Sequence, residues 1–312
     1  MITTKTKKIT SPVSRYPGSK RLFLKALLAD AQPVDAIIEP FAGAAHYSIA
    51  RLQDGVDFAF LGETDPTVRS LYKVWASTEL HADFQHYCDR WTEDFEQDSG
   101  SAFQAINTQI ESFWGDRALF LGEDAGHCIK AAAGAILRKL TFGGVVRDNA
   151  AGEQNAPLVT GQLKQLARYC PNLSGSEVAQ KLSVHSGYRQ AIAAFKTSGL
   201  FSAEALIDPP YYAPREECPR TQTPAYWGHK PHAKETLEIC LDTFKLCVLD
   251  ERIRRVVVTN YISRELDEGL RAIASKHNQS LEFIEGTTLK TMQRSTGKPS
   301  DGVKQGFWQI RR

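Results

Sequence analysis

Short apolar runs alternate with amphipathic stretches along most of the chain. Five runs of branched apolar residues predict strands, and they lie at residues 34–38, 56–61, 181–185, 205–207 and 254–260. Apolar residues at helical spacing separate these runs, most clearly at 188–196, 233–249 and 264–276. Two further strands, near 281–284 and 305–310, predict an antiparallel edge. The pattern therefore predicts a Rossmann-like, doubly wound α/β fold with a mostly parallel, seven-stranded sheet.

The pattern changes between residues 76 and 161. Helical patterns near 79–91, 101–113 and 125–139 follow one another there, with no convincing strand between them. The stretch 141–161 is rich in Gly, Asn, Asp and Pro, which predicts an exposed loop or hairpin. We therefore expect an inserted, mainly helical domain at 76–161, with its hairpin near 141–160. The α/β domain would be formed by residues 1–75 and 162–312.

Composition narrows the class of protein. The 312 residues carry a net charge of only +2, so any contact with nucleic acid has to come from local patches rather than from a uniformly basic coat. The six cysteines form no C-x-x-C pair, which favours reduced thiols over a disulfide framework or a metal site. The first eleven residues are polar, and no apolar run approaches the length of a membrane span. We expect a soluble, cytoplasmic protein that binds no metal and no membrane.

One predicted strand ends in a group of residues that could carry chemistry, Asp208-Pro209-Pro210-Tyr211. Ligands of open α/β sheets bind outside the carboxyl ends of the strands, and Asp208 would lie there. A carboxylate, a carbonyl in a proline-fixed backbone and a stacking ring suit a planar ring with an exocyclic amino group. The alternative is a proline-stiffened loop that only follows a strand.

A turn of small residues follows the first predicted strand. Phe41 and Gly43 belong to this turn, which would let a ligand approach the backbone where a helix begins. Ala45 replaces the last glycine of a G-x-G pattern. Asp65 follows Gly43 by about twenty residues, as an acid that binds ribose hydroxyls would. A nicotinamide dehydrogenase fits the turn and the acid equally well, but it does not account for Asp208 and the residues after it.

The order of these motifs resembles that of the Dam-like DNA adenine-N6 methyltransferases, over residues 13–310. A Trp-Ala-Gly-Gly-Lys turn comes first in that family, and residues 16–20 (Tyr-Pro-Gly-Ser-Lys) are similar to it, with tyrosine for tryptophan. The resemblance implies that Tyr16, Gly18 and Lys20 help to hold S-adenosylmethionine, with Lys20 near its carboxylate. It also assigns Phe41 and Gly43 to the methionine portion of this cofactor and Asp65 to its ribose. Asp208 is a further residue that the resemblance assigns to cofactor binding.

A second match lies in the predicted hairpin, at residues 142–157. The family has a target-reading stretch like Asn-Gly-Leu-x-Arg-Tyr-Asn-x-x-Gly-x-Phe-Asn-x-Pro, from which this chain departs by Asp148 for tyrosine and Gln154 for phenylalanine. Arginine suits guanine and asparagine suits adenine in the major groove. We expect four side chains to contact DNA: Arg147, Asn149, Gln154 and Asn155. The alternative is a surface hairpin with turn chemistry only.

The resemblance implies transfer of a methyl group to N6 of an adenine that is flipped out of duplex DNA. The Asp208 carboxylate and the Pro209 carbonyl would accept hydrogen bonds from the two hydrogens of the adenine amino group. Pro210 is the next residue of this catalytic motif, and Tyr211 would stack on the base. Residues 259–261 resemble a family position that lines the adenine pocket.

Several alternatives stay open. Methyl transfer could be to cytosine N4, an RNA base or a glutamine amide, or the chain could be a DNA-binding relative with weakened catalysis. We expect a monomer whose partner is double-stranded DNA, with a cognate restriction endonuclease as an additional candidate partner.

Overall fold

A computed structural model describes residues 11–13, 16, 20, 23–97, 122–141, 144, 173–210, 233–289 and 303–312. The helix predicted at 101–113 and most of the hairpin predicted near 141–160 lie outside these residues.

Within the described residues, the strands form one seven-stranded sheet, and helices pack on both of its faces. Its strands, in chain order, are β1 (Ala36–Glu39), β2 (Phe58–Gly62), β3 (Leu182–His185), β4 (Ala203–Ile207), β5 (Ile253–Tyr261), β6 (Glu282–Leu289) and β7 (Val303–Arg311). Their spatial order is β3-β2-β1-β4-β5-β7-β6. Strands β1 to β5 are parallel, whereas β7 runs antiparallel to both β5 and β6. The predicted α/β fold with a mostly parallel sheet and an antiparallel edge is thereby confirmed, and it is compatible with a Rossmann-like fold.

Helices cover both faces of this sheet. The described helices are α1 (Leu24–Ala29), α2 (His46–Gln53), α3 (Pro66–Ala76), α4 (His81–Gln97), α5 (Gly122–Leu140), α6 (Ser176–Ala179), α7 (Tyr188–Thr197), α8 (Ala233–Val248) and α9 (Arg264–Lys276). Side chains alternate between the two faces of a strand. Ile37 of β1 accordingly packs in one apolar core with α1 to α5, and its neighbour Ile38 packs in a second core with α7 to α9. Such two-sided cover is typical of a parallel sheet.

Helices α4 and α5 belong to the region predicted as an insertion. In the described part of residues 77–140 there is no strand, as predicted. Phe84 and Cys88 of α4 and Cys128 of α5 are fully buried in the same core as Trp75 of α3. These two helices are therefore packed against the sheet domain through α3. The division of the chain into two domains stays a prediction.

The order of the strands reverses between β1 and β4. From β1 the chain proceeds outward to β2 and β3, and from β4 it proceeds the other way to β5. In open α/β sheets, ligands bind outside the carboxyl ends of the strands at such a switch point. Glu39 ends β1 and Asp208 directly follows β4, so both lie at this place. None of the described helices has the length and the apolar character needed to cross a membrane.

Candidate functional site

Asp208 lies at the switch point with both of its carboxylate oxygens engaged. The Lys20 ammonium nitrogen is 2.6 Å from Asp208 Oδ2, and the Thr259 hydroxyl donates to Oδ1 at 2.7 Å. The side chain of Lys20 is 6% exposed and that of Asp208 is 19% exposed. Burial raises the pKa of Asp208 above its ordinary value, although Lys20 and Thr259 both act to lower it. The result is an oriented carboxylate that already accepts a hydrogen bond from a nitrogen.

The register of β4 and β5 explains the contact with Thr259. Ile207 pairs with Val258, so the next residue of each strand, Asp208 and Thr259, also lie side by side. Pro209 is buried and Pro210 is partly exposed immediately after them. Tyr211 lies outside the described residues, and its stacking role stays a prediction.

The turn between β1 and α2 is held from three sides at Gly43. The Tyr72 hydroxyl donates to the Gly43 carbonyl at 2.6 Å, and the Gly43 N–H donates to Glu63 Oε2 at 3.0 Å. On the third side, a Cβ atom at residue 43 would stand 2.5 Å from Cε1 of the Tyr16 ring. Gly43 has a φ of +49°, and Ala45 has a φ of +47°. Ala45 thus adopts the left-handed conformation that glycine prefers, at a cost of about 1–2 kcal/mol.

Glu39 and Glu63 place two buried carboxyl groups beside this turn. Glu39 accepts a hydrogen bond from the Ser48 N–H of α2 at 2.9 Å, and Glu63 Oε1 accepts one from the Asp65 N–H at 2.8 Å. Both side chains lie in residues that are at most 5% exposed. Burial is the main reason that the pKa of each is raised to about 7. Neither residue stands out in the sequence, because one acid at the end of a strand looks like any solvated acid.

The Asp65 side chain caps the start of α3. Its Oδ1 accepts hydrogen bonds from the Thr67 N–H at 2.8 Å and from the Thr67 hydroxyl at 2.6 Å, and its Oδ2 pairs with the Arg138 guanidinium. Burial alone would raise the pKa of Asp65, but Arg138 and Thr67 outweigh burial, and the pKa is lowered. Asp65 is therefore an ionised helix cap. Its assignment to a ribose stays a prediction, and Glu63 is the acid that touches the turn itself.

Two aromatic rings border the same end of the sheet. Phe41 follows β1, Tyr188 begins α7, and their rings stack at a centroid distance of 5.7 Å with 24° between the planes. This pair places aromatic side chains next to the turn, and the Arg189 guanidinium also lies over the Tyr188 ring, 5.5 Å from its centroid. Phe41 was predicted from the sequence as a site residue, whereas Tyr188 was not.

The remaining predicted site residues lie outside the described part of the chain. They are Gly18, Arg147, Asn149, Gln154 and Asn155. Within the residues that the structure describes, His, Cys, Asp and Glu side chains form no group of three or more that could hold a metal ion.

Comparison of the chain with protein-family models gives no match, and comparison with curated proteins gives none.

Proposed function

We propose that the protein is an S-adenosylmethionine-dependent methyltransferase that acts on N6 of adenine in duplex DNA. The observation that supports it most is the partly buried Asp208 carboxylate, which holds a nitrogen at 2.6 Å next to a glycine turn at the switch point of the sheet. The seven-stranded, mostly parallel sheet is the one that the resemblance to Dam-like enzymes implies. In this proposal, residues 76–161 recognise the target sequence.

The residues around the turn fit this cofactor. The glycine at residue 43 lets the Tyr16 ring lie directly against the backbone of the turn, so this ring would border a ligand bound beside the turn. Glu39, Glu63 and Asp208 place acidic groups nearby, which suit a ligand that carries a positive charge. Phe41, whose ring stacks on Tyr188, would border a planar ring bound beside the turn. When bound, S-adenosylmethionine supplies an electrophilic methyl group on a sulfonium.

In this proposal, the amino group of the target base would take the position of the Lys20 ammonium. Its ammonium donates to Asp208 Oδ2, while Thr259 holds Oδ1. An adenine amino group that replaces Lys20 on Oδ2 would donate one hydrogen to Asp208 and the other to the carbonyl of Pro209. These two bonds draw the nitrogen lone pair out of conjugation with the ring and aim it at the methyl group, mainly by positioning.

Asp208 is also placed to take the surplus proton. When the amino nitrogen takes the methyl group and the sulfur leaves as a neutral thioether, the nitrogen would carry the positive charge and one proton too many. Burial raises the pKa of Asp208, which makes this carboxylate a better proton acceptor than an exposed aspartate. Asp208 would therefore act first as a hydrogen-bond acceptor and then as a base.

The reaction can be tested with radiolabelled S-adenosylmethionine and mixed-sequence duplex DNA, followed by digestion to nucleosides. We expect the label in N6-methyl-2′-deoxyadenosine. Label in N4-methylcytosine, or label only when RNA replaces DNA, would show a different acceptor and would overturn the proposal.

The role of Asp208 can be tested by Asp208→Asn. We expect turnover to fall at least about a hundredfold, because the amide accepts less strongly and is not a base. Asp54→Asn is the matched control, since Asp54 is exposed at the end of α2. Near-normal turnover of Asp208→Asn would remove this residue from the mechanism.

The predicted DNA contacts have a separate test. Arg147→Ala should relax the choice of target site by roughly 1–3 kcal/mol at one position of the recognition sequence. The measurement is the distribution of methylated adenines in DNA of random sequence. An unchanged distribution would show that Arg147 does not contact a base.

A further inference from the structure

Arg138 extends from the inserted helices into the candidate cofactor site. It lies in α5, two residues before the end of that helix, and it is only 4% exposed. Its Nη2 pairs with Asp65 Oδ2, and its Nη1 donates to the Thr67 hydroxyl at 3.0 Å. Nη1 also donates to the Gly134 carbonyl of its own helix at 3.1 Å. The guanidinium is therefore fixed in place by several hydrogen bonds.

The same guanidinium also lies over the Tyr16 ring. Its Cζ atom is 5.9 Å from the ring centroid, within the range of a cation–π contact. Tyr16 in turn closes over Gly43, since a Cβ atom at residue 43 would be 2.5 Å from the ring. Arg138, Tyr16 and the glycine turn thus form one continuous set of contacts.

A close approach of two helices sets the position of Arg138. A Cβ atom at Gly134 of α5 would stand 2.4 Å from the Thr67 side chain at the start of α3. Only a glycine lets α5 come this near, and Arg138 is one turn further along the same helix. Gly134 thus allows the close contact between α5 and the start of α3, which follows the end of β2.

We infer that Arg138 is a positioning residue for S-adenosylmethionine. The Arg138 guanidinium holds Asp65 and Tyr16 in place around the glycine turn. This inference rests on the proposed function. Arginine suits the task because its planar group carries a permanent charge and donates in several fixed directions at once. A lysine would keep the charge and lose the simultaneous contacts with Asp65, Thr67 and Tyr16.

The test uses two variants of the full chain, Arg138→Gln and Arg138→Lys, with Arg90→Gln, at an exposed position of α4, as the control. Calorimetric titration with S-adenosylmethionine, without DNA, gives the Kd. Hydrogen exchange without any ligand gives the protection of the backbone at 41–46, where the Gly43 N–H is bonded to Glu63.

We expect Arg138→Gln to raise the Kd roughly tenfold or more and to speed exchange at 41–46, with exchange in β5 and α9 unchanged. Arg138→Lys should give an intermediate Kd, and Arg90→Gln should match the wild-type chain. Wild-type Kd and exchange in Arg138→Gln would overturn the inference. So would faster exchange throughout the sheet in both Arg138 variants, since that would show a general loss of folding.

The two proposals fail in different ways. If the unchanged chain did not bind S-adenosylmethionine at all, the proposed function would fall. The exchange data would then decide the role of Arg138 by themselves: faster exchange confined to 41–46 would support its positioning of the turn, and unchanged exchange would overturn it.

Discussion

Tyr16 lies so close to residue 43 that the turn accepts no side chain there. We expect Gly43→Ala to lower the free energy of unfolding by about 1–2 kcal/mol from its positive φ alone, and by more from the contact with the ring. Cofactor binding should weaken as well. Gly199→Ala is the control, because Gly199 also has a positive φ but a Cβ atom there would meet nothing within 4 Å. Urea denaturation of both variants measures the difference. Equal losses of unfolding free energy would show that the Tyr16 ring moves aside at little cost.

Thr259 affects the acidity of Asp208. Its hydroxyl donates to Asp208 Oδ1 and acts to lower a pKa that burial raises. Thr259→Val removes this donor, so the pKa of Asp208 should rise further. If the ionised carboxylate is the active form, the acidic limb of the pH profile of kcat/KM moves to higher pH. A limb that stays in place would mean that another group controls it. Thr197→Val, on an exposed hydroxyl of α7, is the control.

Some of the site could be predicted from sequence because its parts carry local signals. Gly43 and Asp208 stand at recognisable ends of strands, and the structure brings Lys20 to Asp208 across the chain. Arg138 gave no such signal, since a basic residue in the last turn of a helix is common wherever the helix ends. Asp65 shows the opposite problem. Its spacing suggested a ligand, but followed by Pro66 it is also a typical helix cap, and the structure shows the cap.

At the scale of elements, two glycines of α5 have opposite surroundings. A Cβ atom at Gly134 would meet the Thr67 side chain at 2.4 Å, whereas one at Gly126 would meet nothing within 4 Å. Gly126→Ala should stabilise the protein by up to about 1 kcal/mol, because alanine is the better helix former. Gly134→Ala should destabilise it despite the same gain, because α5 and α3 would have to separate. The two midpoints of urea denaturation give the comparison, and a stabilising Gly134→Ala would contradict the close approach of these helices.

The elements were largely predictable, and their ends were less so. The apolar run at 34–38 predicted a strand that the structure places at Ala36–Glu39, because hydrogen bonding to β2 and β4 decides where it begins. Strand β6 extends from Glu282 to Leu289, well beyond the predicted 281–284. Its second half contains a glycine and two threonines, so pairing with β7 rather than apolar content extends it. Such pairing between distant segments has no local signal.

At the scale of the whole molecule, Glu39 and Glu63 make stability depend on pH. Both carboxyls have a pKa of about 7 in the folded protein instead of the ordinary 4.5. Between pH 4.5 and 7 the folded state therefore binds more protons than the unfolded state. In this window the free energy of unfolding should lose about 3 kcal/mol per carboxyl as the pH rises, and it should level off above pH 7.

Glu39→Gln isolates this effect. The amide oxygen can still accept the Ser48 N–H, but the side chain never ionises. We expect the variant to match the unchanged chain near pH 4.5 and to exceed it by up to about 3 kcal/mol near pH 8. Urea denaturation across this range gives both curves, and the other titrating groups cancel in their difference. Parallel curves would contradict a raised pKa at Glu39.

The reactivity of the buried cysteines can report which part of the structure opens. Cys240 and Cys247 of α8 lie on one face of the sheet, and Cys88 and Cys128 of α4 and α5 lie on the other. Burial raises the pKa of Cys240 and Cys247 to about 12, so these thiols are almost entirely protonated near neutral pH as well as inaccessible.

A thiol reagent should therefore label each face only when that face opens. With Cys170 and Cys218 replaced by serine, mass spectrometry of the labelled sites would time the two faces separately. We expect Cys240 and Cys247 to react only on global unfolding, because they sit in the core beneath β4 and β5. Early labelling confined to Cys88 and Cys128 would show that the inserted helices detach from α3 while the sheet stays intact.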